Sequence, residues 1–193
     1  NLEEFALKHD IKIGTIVDLI HYRIANEHTV TRTETHLMQT QYGEFTVHSY
    51  RDAISGSLHL AFVKGNIKKD DPVLVRVHIP NTLRDICEVY SAERTSWSFS
   101  NALEEISNEG KGVAVLLSGE DYGRGLAHNM ASALAKENET ALSNRSSTDL
   151  TIGTGSQILR DLGVGKMRLL SYPARFAISG FDLEVIEFVQ FQK

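Results

Sequence analysis

Arg76-Val77-His78 is the first group in this chain whose residue types could do chemistry. It closes an apolar run, and strand alternation turns Arg76 and His78 to one face, where a guanidinium and an imidazole together could hold an anion. A surface arginine beside a half-buried histidine is the alternative reading of the same pair. The second group is Ser118-Gly119-Glu120-Asp121-Tyr122-Gly123-Arg124-Gly125. It joins a buried strand to a helix, so backbone N–H groups, the positive helix end and Arg124 could gather around a phosphate. Its glycine spacing fits neither the P-loop nor the dinucleotide fingerprint, and Glu120 and Asp121 repel an anion unless they face away or hold a base. A tight turn that simply needs glycine is the alternative here.

Other chemistries lack their residues. The carboxylate pairs Glu3-Glu4 and Glu104-Glu105 are adjacent in sequence, so helix or strand geometry points them apart. The eight histidines form no His-x-x-x-His pair, and Ser118 and Ser171 lack a nucleophile-elbow setting. Cys87 is the single cysteine, which removes every cysteine-rich zinc pattern; with Asp85 and Glu88 near it, an inert thiol is expected.

These groups need elements to position them. The 193 residues carry 41% apolar side chains, enough for one compact domain that buries about 70% of its unfolded surface without a metal or disulfide. A net charge of −5, from 20 basic and 25 acidic residues, steers the whole molecule toward neither nucleic acid nor an anionic membrane. No run approaches about 18 apolar residues and the start lacks a secretion pattern, so the reading is cytosolic. Two short helices are expected before Asn26, the second opening at the capping-box-like Thr15-Ile16-Val17-Asp18. Four β-rich runs follow, Thr29 to Met38, Phe45 to Tyr50, Leu58 to Lys64 and Val73 to Ile79, predicted as antiparallel strands. The second half alternates: a helix from Asn101 to near Gly110, a strand Val113 to Leu117, helices Gly125 to Lys136 and Ser156 to Leu162, and strands Met167 to Leu170 and Leu183 to Val189. The fold class is therefore α/β, an antiparallel or mixed sheet followed by strand-helix units. The stretch Asn81 to Phe99 shows only a weak helix and no clear period.

Taken in order, these segments resemble GTP cyclohydrolase II. Thr40-Gln41-Tyr42-Gly43-Glu44-Phe45 is similar to that family's Thr-x-Tyr/Phe-Gly-x-Phe, and His59-Leu60-Ala61-Phe62-Val63-Lys64-Gly65 to its His-x-Ala-Leu-Val-Lys-Gly. Val75-Arg76-Val77-His78 resembles the strand entering its zinc loop, Gly123-Arg124-Gly125-Leu126 its Glu-Gly-Arg-Gly, and Leu162-Gly163-Val164 with Met167-Arg168-Leu169-Leu170 a later segment. Pro173 falls where the family has Asn-Asn-Pro-Lys-Lys. Residues His9 to Arg23 are similar to the junction that closes the 3,4-dihydroxy-2-butanone 4-phosphate synthase domain in fused proteins. The resemblance implies residues 1–27 as a remnant or linker of that domain and 28–193 as the cyclohydrolase-like domain, with magnesium expected only in the synthase part.

The departures fall on the chemistry. Where the family has the first zinc cysteine this chain has Asn81; counting on without gaps, Ala92 and Arg94 stand for the other two. Amide, methyl and guanidinium groups do not supply the three protein ligands a catalytic zinc needs, so zinc is expected to be absent. The family's Asp-Glu-Arg-Asp-Phe-Thr, with its proton acceptor and arginine, appears as Ser146-Ser147-Thr148-Asp149-Leu150-Thr151, and the tyrosine of Ala-Tyr-Ala/Ser-Leu becomes Ser132. The resulting expectation is a noncatalytic domain of a synthase (a lyase), structural, oligomerising or regulatory. Its expected partners are the synthase domain of the same chain and a second copy in a homodimer. The alternative is a sensor of a nucleotide or small phosphorylated ligand that keeps Arg76, His78, Glu120 and Arg124 as its contacts; an active cyclohydrolase is the least favoured reading.

Overall fold

The computed structural model describes residues 2–15, 22, 27–87, 97–118, 145–173 and 182–191. Helix α1 (Leu2–Lys8) precedes β1 (Val30–Thr40), β2 (Gly43–Asp52), β3 (Leu58–Lys64) and β4 (Pro72–His78). Then come α2 (Thr82–Asp85), α3 (Phe99–Glu109), β5 (Gly112–Leu116), α4 (Arg145–Asp161), β6 (Lys166–Leu170) and β7 (Glu184–Val189). The expected helices Thr15 to Asn26 and Gly125 to Lys136 fall almost wholly or wholly outside the described residues.

The two halves do not stand apart: they form one seven-stranded sheet in the order β1-β2-β3-β5-β4-β6-β7. β1, β2 and β3 are antiparallel neighbours, as expected. β3 then pairs antiparallel with β5, while β5, β4, β6 and β7 run parallel. The expected antiparallel partner for β4 is thus replaced by parallel ones, because its return path to β5 runs through α3 rather than a tight turn.

Alternation along the central strands builds two cores. Val73, Val75, Val113 and Val115 face α4 with Ile158 and Leu159, whereas Leu74 and Ala114 face α3 with Ala102, Leu103 and Ile106. A Cβ at Gly112 would lie 2.8 Å from two carbons of Ile106, so this strand position must be glycine for α3 to approach. On the other face a Cβ at Gly155 would lie 3.0 Å from Val77. The far end of α4 is clamped to the first hairpin. Tyr50 donates its hydroxyl to Asp161 at 2.7 Å, Arg32 donates to the same carboxylate at 2.6 Å, and Gln157 Oε1 accepts from the Thr29 N–H at 2.9 Å.

α4 corrects the expected helix Ser156 to Leu162, beginning eleven residues earlier at Arg145. Ser, Thr and Gly crowd its first turns, a composition that favours turns locally and hides the start of the helix. α3 begins at Phe99 because the Ser98 hydroxyl caps it, accepting from the Asn101 N–H.

Candidate functional site

The sheet has a topological switch point at the carboxyl ends of β4 and β5. β4 leads to α3 on one face, β5 leads to α4 on the other, and ligand sites in open α/β sheets form where such connections part. Arg76 and His78 end β4 on the α3 face, and Leu117 and Ser118 follow β5 beside them; the Leu117 N–H donates to the His78 carbonyl at 2.9 Å.

The expected same-face geometry of Arg76 and His78 holds, and the alternative of a surface arginine does not. Arg76 is turned inward: Nη1 donates to the Leu170 carbonyl at 2.7 Å, Nη2 to the Trp97 carbonyl at 3.0 Å, and Nε to His78 Nδ1 at 3.3 Å. Because Nδ1 accepts, the ring proton sits on Nε2, which donates to Asp85 Oδ2 at 2.7 Å. His78 is fully buried against the Phe99 ring, with centroids 5.4 Å apart. Burial pushes its pKa down, as do the charges of Arg76 and Arg84, against the pull of Asp85. Burial and the Arg84 charge push the Arg76 guanidinium down to about 10.

Asp85 and Arg84 complete the cluster. Asp85 Oδ2 also accepts from the Asn81 N–H at 2.7 Å and from Arg84 Nη2 at 3.1 Å, while Oδ1 accepts from Arg84 Nε at 3.0 Å. Arg84 Nη2 lies 3.1 Å from His78 Nε2 and donates to the Ile79 carbonyl at 3.0 Å. Burial works against the Asp85 charge, but the hydrogen bonds from His78, Arg84 and the Asn81 N–H outweigh it and hold the carboxyl far below the usual range. The turn that brings these groups together is set by Asn81, whose side-chain oxygen accepts from the Arg84 N–H and caps α2. Sequence reasoning missed Arg84 and Asp85 as site residues; the only signal was an asparagine three residues before an arginine-aspartate pair. Cys87, just past this turn, is exposed.

Across the sheet from this cluster, His59 Nδ1 accepts from the Ser118 N–H at 3.1 Å, and the Ser118 hydroxyl donates to the Leu58 carbonyl at 2.7 Å. These bonds fix the point where the chain leaves β5. Burial lowers the His59 pKa, and its Nε2 is buried without a hydrogen-bond partner among the described residues. Glu120 and Arg124, the other two expected contacts, lie outside the described residues, as do Ala92, Arg94 and Ser132. Ser146, Ser147 and Thr148 fall in the first turn of α4. Among the described residues no three His, Cys, Asp or Glu side chains come together as a metal-ligand group.

A family model for GTP cyclohydrolase II matches residues 31–190. The chain belongs to the GTP cyclohydrolase II family. Among its relatives, a 3,4-dihydroxy-2-butanone 4-phosphate synthase of Pseudomonas aeruginosa is 47% identical over 195 residues, covering 97% of this chain and 51% of that protein. The riboflavin biosynthesis protein RibBA of Aquifex aeolicus is 39% identical, covering 97% of this chain and 48% of its own length. The crystal structure of RibBX, a two-domain 3,4-dihydroxy-2-butanone 4-phosphate synthase from A. baumannii, superposes with a TM-score of 0.66 at 40% identity, over 100% of this chain and 49% of that one. The chain spans about half the length of the relatives it matches. No helix among the described residues is long and apolar enough to cross a membrane.

Proposed function

We propose that this cyclohydrolase-family domain is noncatalytic and serves the assembly, stability or regulation of a 3,4-dihydroxy-2-butanone 4-phosphate synthase carried on the same chain. The observation that supports this reading is the closed Arg76-His78-Asp85-Arg84 cluster, in the segment where the family resemblance puts the zinc loop. Asn81, at the first cysteine position, uses its side chain to cap α2, and the guanidiniums of Arg76 and Arg84 both lie within 3.3 Å of the His78 ring nitrogens. Such a set does not fit zinc, which asks for thiolate, imidazole or carboxylate groups facing one point. Ser146 and Thr148 supply neither a carboxylate base nor a guanidinium. The test is direct: the protein expressed in zinc-supplemented medium releases no formate from GTP and carries no stoichiometric zinc by mass spectrometry. Formate release together with one bound zinc per chain overturns the proposal.

In this reading residues 1–27 belong with the synthase, and the magnesium chemistry of the whole protein lies there. Consistent with that, α1 buries none of its residues, leaving Leu2, Phe5 and Leu7 exposed. A homodimer is part of the same proposal and is read by light scattering on the full-length protein.

A second reading, a sensor of a nucleotide or phosphorylated ligand, is favoured by one specific observation: Arg76, His78 and Arg84 gather at the sheet's switch point. Calorimetry with GTP, GMP, flavin mononucleotide and ribulose 5-phosphate tests it. Binding below millimolar concentration that weakens in Arg124→Ala supports it, and no binding by any of the four ends it.

A further inference from the structure

The Asp85 carboxylate is bound as a ligand is bound. Four donors converge on it from different parts of the turn and strand: His78 Nε2–H at 2.7 Å, the Asn81 N–H at 2.7 Å, and Arg84 Nη2 and Nε at 3.1 and 3.0 Å. A guanidinium edge meeting both oxygens, with an imidazole N–H and a backbone N–H on one of them, is the donor set that recognises a free carboxylate or phosphate. Behind it, Arg76 holds the imidazole in the required tautomer by donating to Nδ1. The charges agree. With His78 neutral, the cluster carries two guanidiniums and one carboxylate, so removal of Asp85 leaves an uncompensated double positive charge, largely out of water.

We propose that the end of β4 and the turn after it form an oxyanion-binding site, made by His78, Arg84 and the Asn81 N–H, whose occupant in this chain is the tethered carboxylate of Asp85. The site takes a small carboxylate or phosphate oxyanion when that carboxylate is removed. This goes beyond the noncatalytic reading and does not depend on it: a chain that released formate from GTP would still be subject to the experiment below.

The experiment is anion rescue of Asp85→Ala. The variant melts below the wild type in chloride and regains melting temperature in formate or inorganic phosphate at equal ionic strength. The gain amounts to about 4 °C at a concentration tenfold above Kd and goes on rising with the logarithm of anion concentration. The wild type, its site filled, gains only the general salt effect of each anion over chloride, and the double variant Arg84→Ala/Asp85→Ala falls back to that gain. If Asp85→Ala does not fold in chloride, refolding yield replaces melting temperature, and folded protein returning in formate or phosphate supports the site. A variant that responds to formate and phosphate no more than the wild type does, or that fails to refold in either anion, overturns it.

Discussion

Asp85 and His78 make charge and proton position at one point of the molecule inseparable. Asp85→Asn keeps the shape of the side chain but leaves Arg76 and Arg84 without a counter-charge and turns an amide N–H toward donors. We expect a loss of about 2–3 kcal/mol in urea unfolding, with Arg84→Ala similar in sign. Acidification acts in two windows. Burial pushes the pKa values of His78, His59 and His48 below the ordinary value of about 6.5, so as pH falls through that value the unfolded chain takes up protons that the folded one refuses. Stability therefore falls from about pH 6.5 downward, and falls again below about pH 4, where unfolded Asp85 protonates and the folded carboxyl does not. Denaturation midpoints across pH 3.5 to 7.5, on the order of ten points, with His78 ring shifts read by NMR, check both the sign and the windows. At this scale the sequence is half legible. Alternation over Val75 to His78 puts Arg76 and His78 on one face, because a strand's period is local. Arg84 and Asp85 return to His78 through a turn whose shape depends on one capping side chain, and no period announces it.

The strands are the most readable elements, since their apolar runs are bounded by Gly43, Gly56, Gly65 and Pro72. α4 is the least readable, because the hydrogen bonds that hold it, from Gln157 and Asp161, reach residues more than a hundred positions away in sequence. The order β3-β5-β4 is hidden for the same reason: continuous apolar runs such as Val113 to Leu116 show that a strand is buried, not which neighbours bury it. Packing between α3 and the sheet carries its own test. Gly112→Ala forces a methyl group against Ile106 and the Leu74 carbonyl, and we expect a loss of about 1–3 kcal/mol. Ile106→Ala at the same contact opens a cavity, at about 2–5 kcal/mol. Urea midpoints of the two variants measure whether this interface is as tight as the distances say.

For the whole molecule, family membership and fold rest on segments spread from residue 31 to residue 190, which is why short motifs scattered along the chain are enough to make the resemblance legible. The N-terminal segment behaves differently: α1 has no buried residue, so removing residues 1–15 is expected to leave the unfolding free energy of the remaining domain, from urea titration, within about 0.5 kcal/mol of its starting value. The seam between β3 and β5 has a wider consequence. It is the only described place where the N-terminal hairpins and the parallel strands share a ladder, with Leu60 to Lys64 set against Leu116 to Gly112. A protease cut in the turn between Lys64 and Pro72 would release two pieces, each ending in a raw strand margin that only the other can cover. Mixed in equal amounts, such pieces should reunite into one unit that melts in a single transition.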